Sequence, residues 1–167
     1  QHAGNRYFRW NCRGDQRMKK YRRVHADIDL DAVLFNFDQM SKNIPNGTKI
    51  MAVVKTDAYG HGAVPIASFI ESCDYLWGFA TATVDEAVEL RQAGIEKPIL
   101  ILGYTFPECY EEVVKYNIRQ TVFSADMAKA LSDEAVRQNK KAYVHVKLDT
   151  GMGRIGYQKI ECAVNDV

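Results

Sequence analysis

At 167 residues, with 47% hydrophobic and 26% charged residues, the sequence is long enough for one globular domain and too short for two of ordinary size. Its net charge of +1 conceals an asymmetry, because eight of the 22 basic residues fall within residues 1–23 and leave 14 basic against 20 acidic residues beyond them, a net of −6. An acidic body argues against a nucleic-acid partner, no apolar run approaches the ~20 residues of a transmembrane helix, and four scattered cysteines indicate neither a disulfide framework nor a metal site.

Residues 1–22 form a basic leader, which we expect to be extraneous or disordered, with Met18 as the natural start. Polar residues interrupt its few aromatics, so it lacks the apolar core of a secretory signal. Scattered cysteines without pairs are typical of a reducing compartment, and we expect a cytoplasmic protein. Residues 23–167 are assigned to a single domain.

Short apolar strands alternate with amphipathic helices along this domain. The predicted strands are 24–30, 50–54, 76–80, 99–102, 119–123 and 142–148. The predicted helices run from about 31 to 43, 63 to 70, 83 to 94, 107 to 116 and 124 to 138. The expected helix N-caps are Asp31, Thr83 and Ser124, and Thr83 forms a capping box with Glu86.

This alternation indicates an α/β fold of parallel strands joined by right-handed crossovers. A closed (β/α)8 TIM barrel needs eight units and about 250 residues. We therefore predict a partial barrel of about five units. A small open doubly wound sheet is the alternative, but the sequence has no GxGxxG turn to support it.

The first candidate site lies where the predicted strand 50–54 ends at Lys55. An apolar run from Ile50 to Val54 stops at this lysine and is followed by a turn containing Gly60 and Gly62. Ligand sites of α/β barrels form at the carboxyl ends of their strands. We therefore expect a reactive amine at the rim of the barrel.

A second polar constellation follows the last predicted strand. One face of that strand carries Tyr143, His145 and Lys147, and the loop that follows contains three glycines and Arg154. The guanidinium of an arginine can donate two parallel hydrogen bonds to an oxygen anion. We expect Arg154 to lie close to Lys55.

Two stretches resemble the signature motifs of the alanine racemase family: Ala52–Gly62 (AVVKTDAYGHG) and Lys147–Gly156 (KLDTGMGRIG). Ala26–Val33 and Arg119–Ser124 also resemble that family, so the similarity extends over residues 23–157. The resemblance implies the amino-terminal, pyridoxal-phosphate-binding barrel of such an enzyme, without its last strands and without the carboxyl-terminal β domain.

The resemblance also implies roles for four residues. Lys55 is the catalytic residue and binds pyridoxal 5′-phosphate as a Schiff base, and the Tyr59 hydroxyl binds the cofactor phosphate. Arg154 contacts the phenolic oxygen of the cofactor and lies near the substrate. Lys147 matches a lysine that is often carbamylated in the family.

The implied function is an alanine racemase that supplies D-alanine for peptidoglycan, acting as a homodimer. One lysine cannot serve both faces of the substrate, and the resemblance assigns the second base to a tyrosine of the partner's carboxyl-terminal domain, so we expect this chain to be inactive alone. Three alternatives are a racemase of serine or another amino acid, a non-catalytic pyridoxal-phosphate-binding barrel, and an α/β module with an inert Lys55.

Overall fold

The computed structural model describes residues 7–10 and 26–166. Their elements are β1 (Tyr7–Trp10), β2 (Ala26–Asp29), α1 (Leu30–Lys42), β3 (Ile50–Val53), α2 (Lys55–Gly60), α3 (Ala63–Ile70), β4 (Leu76–Thr81), α4 (Val84–Gln92), β5 (Ile99–Ile101), a 3₁₀ turn (Pro107–Cys109), α5 (Tyr110–Lys115), β6 (Arg119–Val122), α6 (Ala125–Arg137), β7 (Tyr143–Val146) and α7 (Ile160–Asp166). Within these ranges, no helix has the length and apolar character needed to cross a bilayer.

Five strands form one parallel sheet in the order β3-β4-β5-β6-β7. Helices lie between consecutive strands along the chain, so each connection is a β/α crossover. The strand order never reverses, whereas a doubly wound sheet reverses at a switch point. The arrangement is that of five consecutive units of a (β/α)8 barrel, and the predicted fold class is confirmed.

A separate antiparallel pair joins β1 to β2, with Tyr7 opposite Asp29 and Trp10 opposite Ala26. Strand β1 was not predicted from the sequence, and it lies inside the leader that we expected to be extraneous or disordered. Aromatic residues favour strands, which is consistent with a short strand here. The rest of the leader, including Met18, lies outside the described residues.

The observed helix N-caps include two of the predicted residues, Thr83 and Ser124, and do not include Asp31. The capping box between Thr83 and Glu86 is complete, and Ser124 accepts a hydrogen bond from the backbone of α6. The prediction of Asp31 as a cap is wrong, because Asp29 has the extended backbone of an N-cap and accepts from the Ala32 N–H at 3.0 Å. Asp31 lies within the first turn of α1, where a carboxylate still interacts favourably with the helix dipole.

The core lies between the sheet and its helices. Across the sheet, Ala52 is aligned with Phe79 and Phe79 with Ile99, and all three are buried. The apolar stripe predicted for α3 is buried in full: Ala63, Ile66, Ala67 and Ile70. Burying a large apolar side chain contributes about 1.5–3 kcal/mol. The opposite sheet face is more open at β3, where Val53 is 50% exposed.

Gln120 is a fully buried polar residue whose amide ties β6 to the loop after β5. Its Nε2 donates to the carbonyls of Gly103 at 2.9 Å and Thr121 at 2.8 Å, and its Oε1 accepts from the Thr105 hydroxyl at 2.7 Å. We expect Gln120→Leu to lower the free energy of unfolding by about 2 to 4 kcal/mol, because each buried polar group left without a partner costs about 1–3 kcal/mol. Urea unfolding measures this. The exposed Gln92→Leu is the control, and an equal effect in the two variants would contradict the assignment.

Candidate active site at the carboxyl ends of the strands

Lys55 follows β3 directly, at the carboxyl end of the strand. The Val54 N–H donates to the Ala80 carbonyl at 2.9 Å, which continues the pairing of β3 with β4 up to this lysine. Lys55 itself is half-buried. The amine therefore extends from a point where the backbone is fixed by the sheet.

The α2 turn that carries Lys55 is left-handed. Thr56, Asp57, Ala58 and Tyr59 have φ between 50° and 55° and ψ between 38° and 46°. This conformation costs roughly 1–2 kcal/mol for each residue that is not glycine. The sequence predicted only a glycine-rich turn here. Backbone strain of this kind is found at functional sites and persists only when the surroundings hold it.

Local hydrogen bonds close the left-handed turn. The Ala58 N–H donates to the Val54 carbonyl at 2.9 Å, and the Gly62 N–H donates to the Asp57 carbonyl at 3.0 Å. The Asp57 carboxylate accepts from the Ala63 N–H at 2.7 Å and so caps the first turn of α3. The turn and α3 are thus joined through one aspartate.

Tyr59 lies at the end of the same turn, with its ring centroid 5.9 Å from the Lys55 Nζ. The residue is 67% exposed. Its hydroxyl bonds no residue in the part of the chain that the structure describes. The structure thus brings together two of the four predicted site residues, an amine and a phenol.

Lys147 and Arg154 follow β7, the strand at the opposite edge of the sheet from β3. Pairing continues past β7, because the Lys147 N–H donates to the Val122 carbonyl at 2.9 Å. The chain then loops out and returns, and the Tyr157 N–H donates to the Lys147 carbonyl at 2.8 Å. Lys147 is half-buried and Arg154 is exposed on the loop.

Asp149 organises this loop. Its Oδ1 accepts from the backbone N–H groups of Gly151 and Gly153, both at 3.0 Å, and its Oδ2 accepts from the Gln158 Nε2 at 3.1 Å. These hydrogen bonds lower the pKa of Asp149 from 3.8 to about 2, and the bond from Gly153 has the largest effect. Since the folded form has the lower pKa, ionisation favours the folded loop at neutral pH, and this contribution is lost as the pH falls from about 4 through about 2.

We expect the Asp149 carboxyl to titrate with a midpoint of about 2, and the amide resonances of Gly151 and Gly153 to shift with it. The reason is that protonation removes the negative charge to which both amides donate. An NMR pH titration measures all three groups. Asp149→Asn is the control that abolishes the transition, and a midpoint near 3.8 would contradict the loop geometry.

The predicted proximity of Arg154 to Lys55 stays a prediction. The two residues follow β7 and β3, the outer strands of the sheet, with three strands between them. No described residue forms an ion pair or a hydrogen bond with the Arg154 guanidinium. Its donors are therefore available to a ligand within the part of the chain described.

A stacked cluster of side chains on the open face of the sheet was not predicted from the sequence. The Arg119 guanidinium carbon lies 4.9 Å from the Trp77 ring centroid and 4.8 Å from that of Tyr143. His145 lies beside Trp77 at 5.7 Å between ring centroids, and burial followed by the charge of Arg119 lowers its pKa. Strand alternation had placed Tyr143 and His145 on one face, but nothing in the local pattern pointed to Arg119 or Trp77.

A surface hollow of about 800 Å³ lies at the opposite, amino-terminal ends of the strands. Its lining includes several cations that are already engaged. Arg91 donates to the carbonyls of Tyr116 and Lys97, and Lys140 donates to the Lys115 carbonyl at 2.7 Å. These bonds hold the loops below the sheet together, so the hollow is not the candidate site.

Comparisons with known proteins identify the family of the chain. A family model described as "Alanine racemase, N-terminal domain" matches residues 28–165. Alanine racemase 1 of Caldanaerobacter subterraneus subsp. tengcongensis is 46% identical over 148 residues, which cover 87% of this chain and 37% of that protein. The chain therefore spans little more than a third of the length of this curated relative.

Two solved structures are similar in fold. Alanine racemase of Clostridium difficile 630 in complex with cycloserine has a TM-score of 0.78 and 42% identity, over 82% of this chain and 37% of that one. Histidine racemase from Leuconostoc mesenteroides subsp. sake has a TM-score of 0.74 and 30% identity, over 83% of this chain and 37% of that one. The chain thus belongs to the alanine racemase N-terminal domain family.

Proposed function

We propose that the whole protein containing this chain is a pyridoxal-phosphate-dependent alanine racemase. The observation that carries the proposal is the position of Lys55: a half-buried lysine at the carboxyl end of β3, on a left-handed turn, in a chain of this family. A strained turn of four non-glycine residues at a strand end is the kind of backbone that functional sites retain.

The chemistry of three side chains fits pyridoxal phosphate. The Lys55 amine would hold the cofactor aldehyde covalently, the Tyr59 hydroxyl would bind the phosphate, and the Arg154 guanidinium would contact the ring oxygen. The unpaired state of Arg154 among the described residues supports this role. When bound, the cofactor supplies an electron sink that makes the α-proton of an amino acid removable.

Lys55 is the residue of this chain that would move the proton. Its amine can accept and return a proton at one face of the substrate α-carbon. Arg154 would orient the substrate and the cofactor ring, and a carbamate on Lys147 would supply a negative charge that orients Arg154. The opposite face of the α-carbon requires a base outside this chain, and we propose that a homodimer partner supplies it.

For the biological setting, we propose that the enzyme acts in the cytoplasm on alanine and supplies D-alanine to peptidoglycan. The substrate is open to one specific alternative, because a structure of the same fold at 30% identity is a histidine racemase. Serine is a further candidate, since it differs from alanine by one hydroxyl. Pockets discriminate weakly against an added hydroxyl, by about 10²-fold in known cases.

The test is racemisation by the purified full-length protein with pyridoxal phosphate and L-alanine, L-serine or L-histidine, followed as the D-enantiomer. We expect L-alanine to be converted with the highest kcat/KM. Faster conversion of serine or histidine would reassign the substrate. No conversion of any amino acid, with cofactor covalently bound, would favour a non-catalytic cofactor-binding barrel.

A further inference from the structure

Glu86 joins three backbone groups of two different loops. Its Oε1 accepts from the Thr56 N–H at 2.7 Å, and its Oε2 accepts from the N–H groups of Ala82 at 2.8 Å and Thr83 at 3.4 Å. Thr56 is the residue directly after Lys55, whereas Ala82 and Thr83 lead from β4 into α4. One carboxylate therefore links the left-handed turn to the neighbouring strand-to-helix loop.

The other described hydrogen bonds to the turn come from its immediate surroundings. They join residues within 54–63, including the bonds from Ala58 to Val54 and from Gly62 to Asp57. Among the described residues, Glu86 is the side chain from another β/α unit that bonds the turn, 30 positions along the chain from Thr56. It bonds the first left-handed residue, next to the reactive amine.

We propose that Glu86 is a positioning residue for Lys55: its carboxylate fixes the start of the left-handed turn and thereby the direction of the lysine side chain. Hydrogen bonds from N–H groups to an ionised carboxylate are about twice as strong as neutral ones. Without such a bond, the backbone of Thr56 would favour a conformation with negative φ. Only a carboxylate offers two acceptor oxygens to both loops at once. The inference rests on the proposed function for its catalytic meaning.

Three variants of the full-length protein separate this role from ordinary helix capping. Glu86→Ala removes both the bond to Thr56 and the capping box. Thr83→Ala is the matched control, because it removes the acceptor for the Glu86 N–H and leaves the bond to Thr56 in place. Glu86→Gln keeps one acceptor oxygen and replaces the other with a donor, so it can satisfy one loop and not both.

The first measurement is amide hydrogen exchange in the cofactor-free protein. We expect Glu86→Ala to accelerate exchange at Thr56 and through the turn by at least about tenfold, because the lost bond involves a charged acceptor. In Thr83→Ala, the exchange rates of the turn should equal those of the wild type. In Glu86→Gln, they should lie between those of the wild type and those of Glu86→Ala. Equal exchange of the turn in Glu86→Ala and Thr83→Ala would overturn the proposal.

The second measurement is the chemical reactivity of Lys55, read by acetylation and peptide mapping. Lys97 is the internal reference, since its Nζ donates to the carbonyls of Cys73 at 2.7 Å and Leu76 at 2.6 Å. We expect Glu86→Ala to raise the labelling rate of Lys55 several-fold and not that of Lys97. Parallel increases at both lysines would show general destabilisation and contradict a positioning role.

The third measurement is the affinity for pyridoxal phosphate, which we expect Glu86→Ala to weaken about tenfold and Thr83→Ala to leave unchanged. Unchanged affinity in Glu86→Ala would remove the functional part of the inference. Failure of the wild-type protein to bind the cofactor would instead overturn the proposed function, and the exchange and labelling results would still decide whether Glu86 holds the turn.

Discussion

Replacing Lys55 with alanine in the full-length protein is expected to lower the rate of L-alanine to D-alanine conversion by at least about 10⁴-fold, since proton transfer by a positioned group alone contributes about 10²–10⁴. The change also removes the covalent attachment of the cofactor. The measurement is kcat for D-alanine formation with saturating pyridoxal phosphate. The loss should appear in kcat, because free cofactor cannot replace the missing proton carrier.

Lys49 provides the matched control for this variant. It lies six positions before Lys55 at the start of the same strand segment, and its Nζ donates to the Asp74 carbonyl at 2.7 Å. We expect Lys49→Ala to change stability slightly and kcat by less than about twofold, because a surface side chain of this kind contributes little. Substantial turnover by Lys55→Ala would show that another amine carries the chemistry.

Replacing Arg154 with alanine is expected to lower kcat/KM by about 10²- to 10³-fold, the usual effect of removing one donor aimed at developing charge. Arg154→Lys should restore little of this loss, because lysine presents a point charge and lacks the planar fork of guanidinium donors. Steady-state kinetics and the cofactor dissociation constant, measured together, separate substrate binding from cofactor binding.

Arg137 on α6 is the control for Arg154. It is exposed and pairs with Glu134 at 2.7 Å, so Arg137→Ala should leave kcat/KM unchanged. Wild-type kinetics in Arg154→Ala would mean that the loop after β7 does not reach the reacting groups in the assembled enzyme. The same outcome would remove the reason to propose a carbamate on Lys147.

The parts of the fold that local chemistry determines were predictable from the sequence. The capping box at Thr83 and the cap at Ser124 depend on residues within one helical turn, and both are present. The buried stripe of α3 follows from helical spacing alone. The error at Asp31 arose because two aspartates, Asp29 and Asp31, flank the start of α1 and either satisfies the cap pattern.

The features that hold the candidate site depend on distant parts of the chain, and for that reason the sequence did not reveal them. Four non-glycine residues in left-handed conformation contradict the local preference of each residue, so hydrogen bonds within the turn and a contact from a distant part of the chain must hold them together. The bond between Thr56 and Glu86 spans 30 positions. The sequence identified Glu86 as part of a capping box. That pattern involves only Thr83 and Glu86 and does not predict the hydrogen bond from Thr56.

The stacked cluster on the open face of the sheet also depends on residues that are distant in the sequence. Alternation along β7 correctly put Tyr143 and His145 on one face, since strand periodicity is a local property. The partners Trp77 and Arg119 come from β4 and β6, and their contact with β7 depends on register across the four strands from β4 to β7. Register follows from the whole sheet and not from one segment.

The proposed racemase requires that the Lys55 amine condense with an aldehyde cofactor. The most direct measurement is borohydride reduction of the full-length protein with pyridoxal phosphate, followed by peptide mapping of the modified lysine. We expect stoichiometric modification at Lys55 in the peptide that contains the left-handed turn. Modification at another lysine such as Lys147, or none at all, would contradict it.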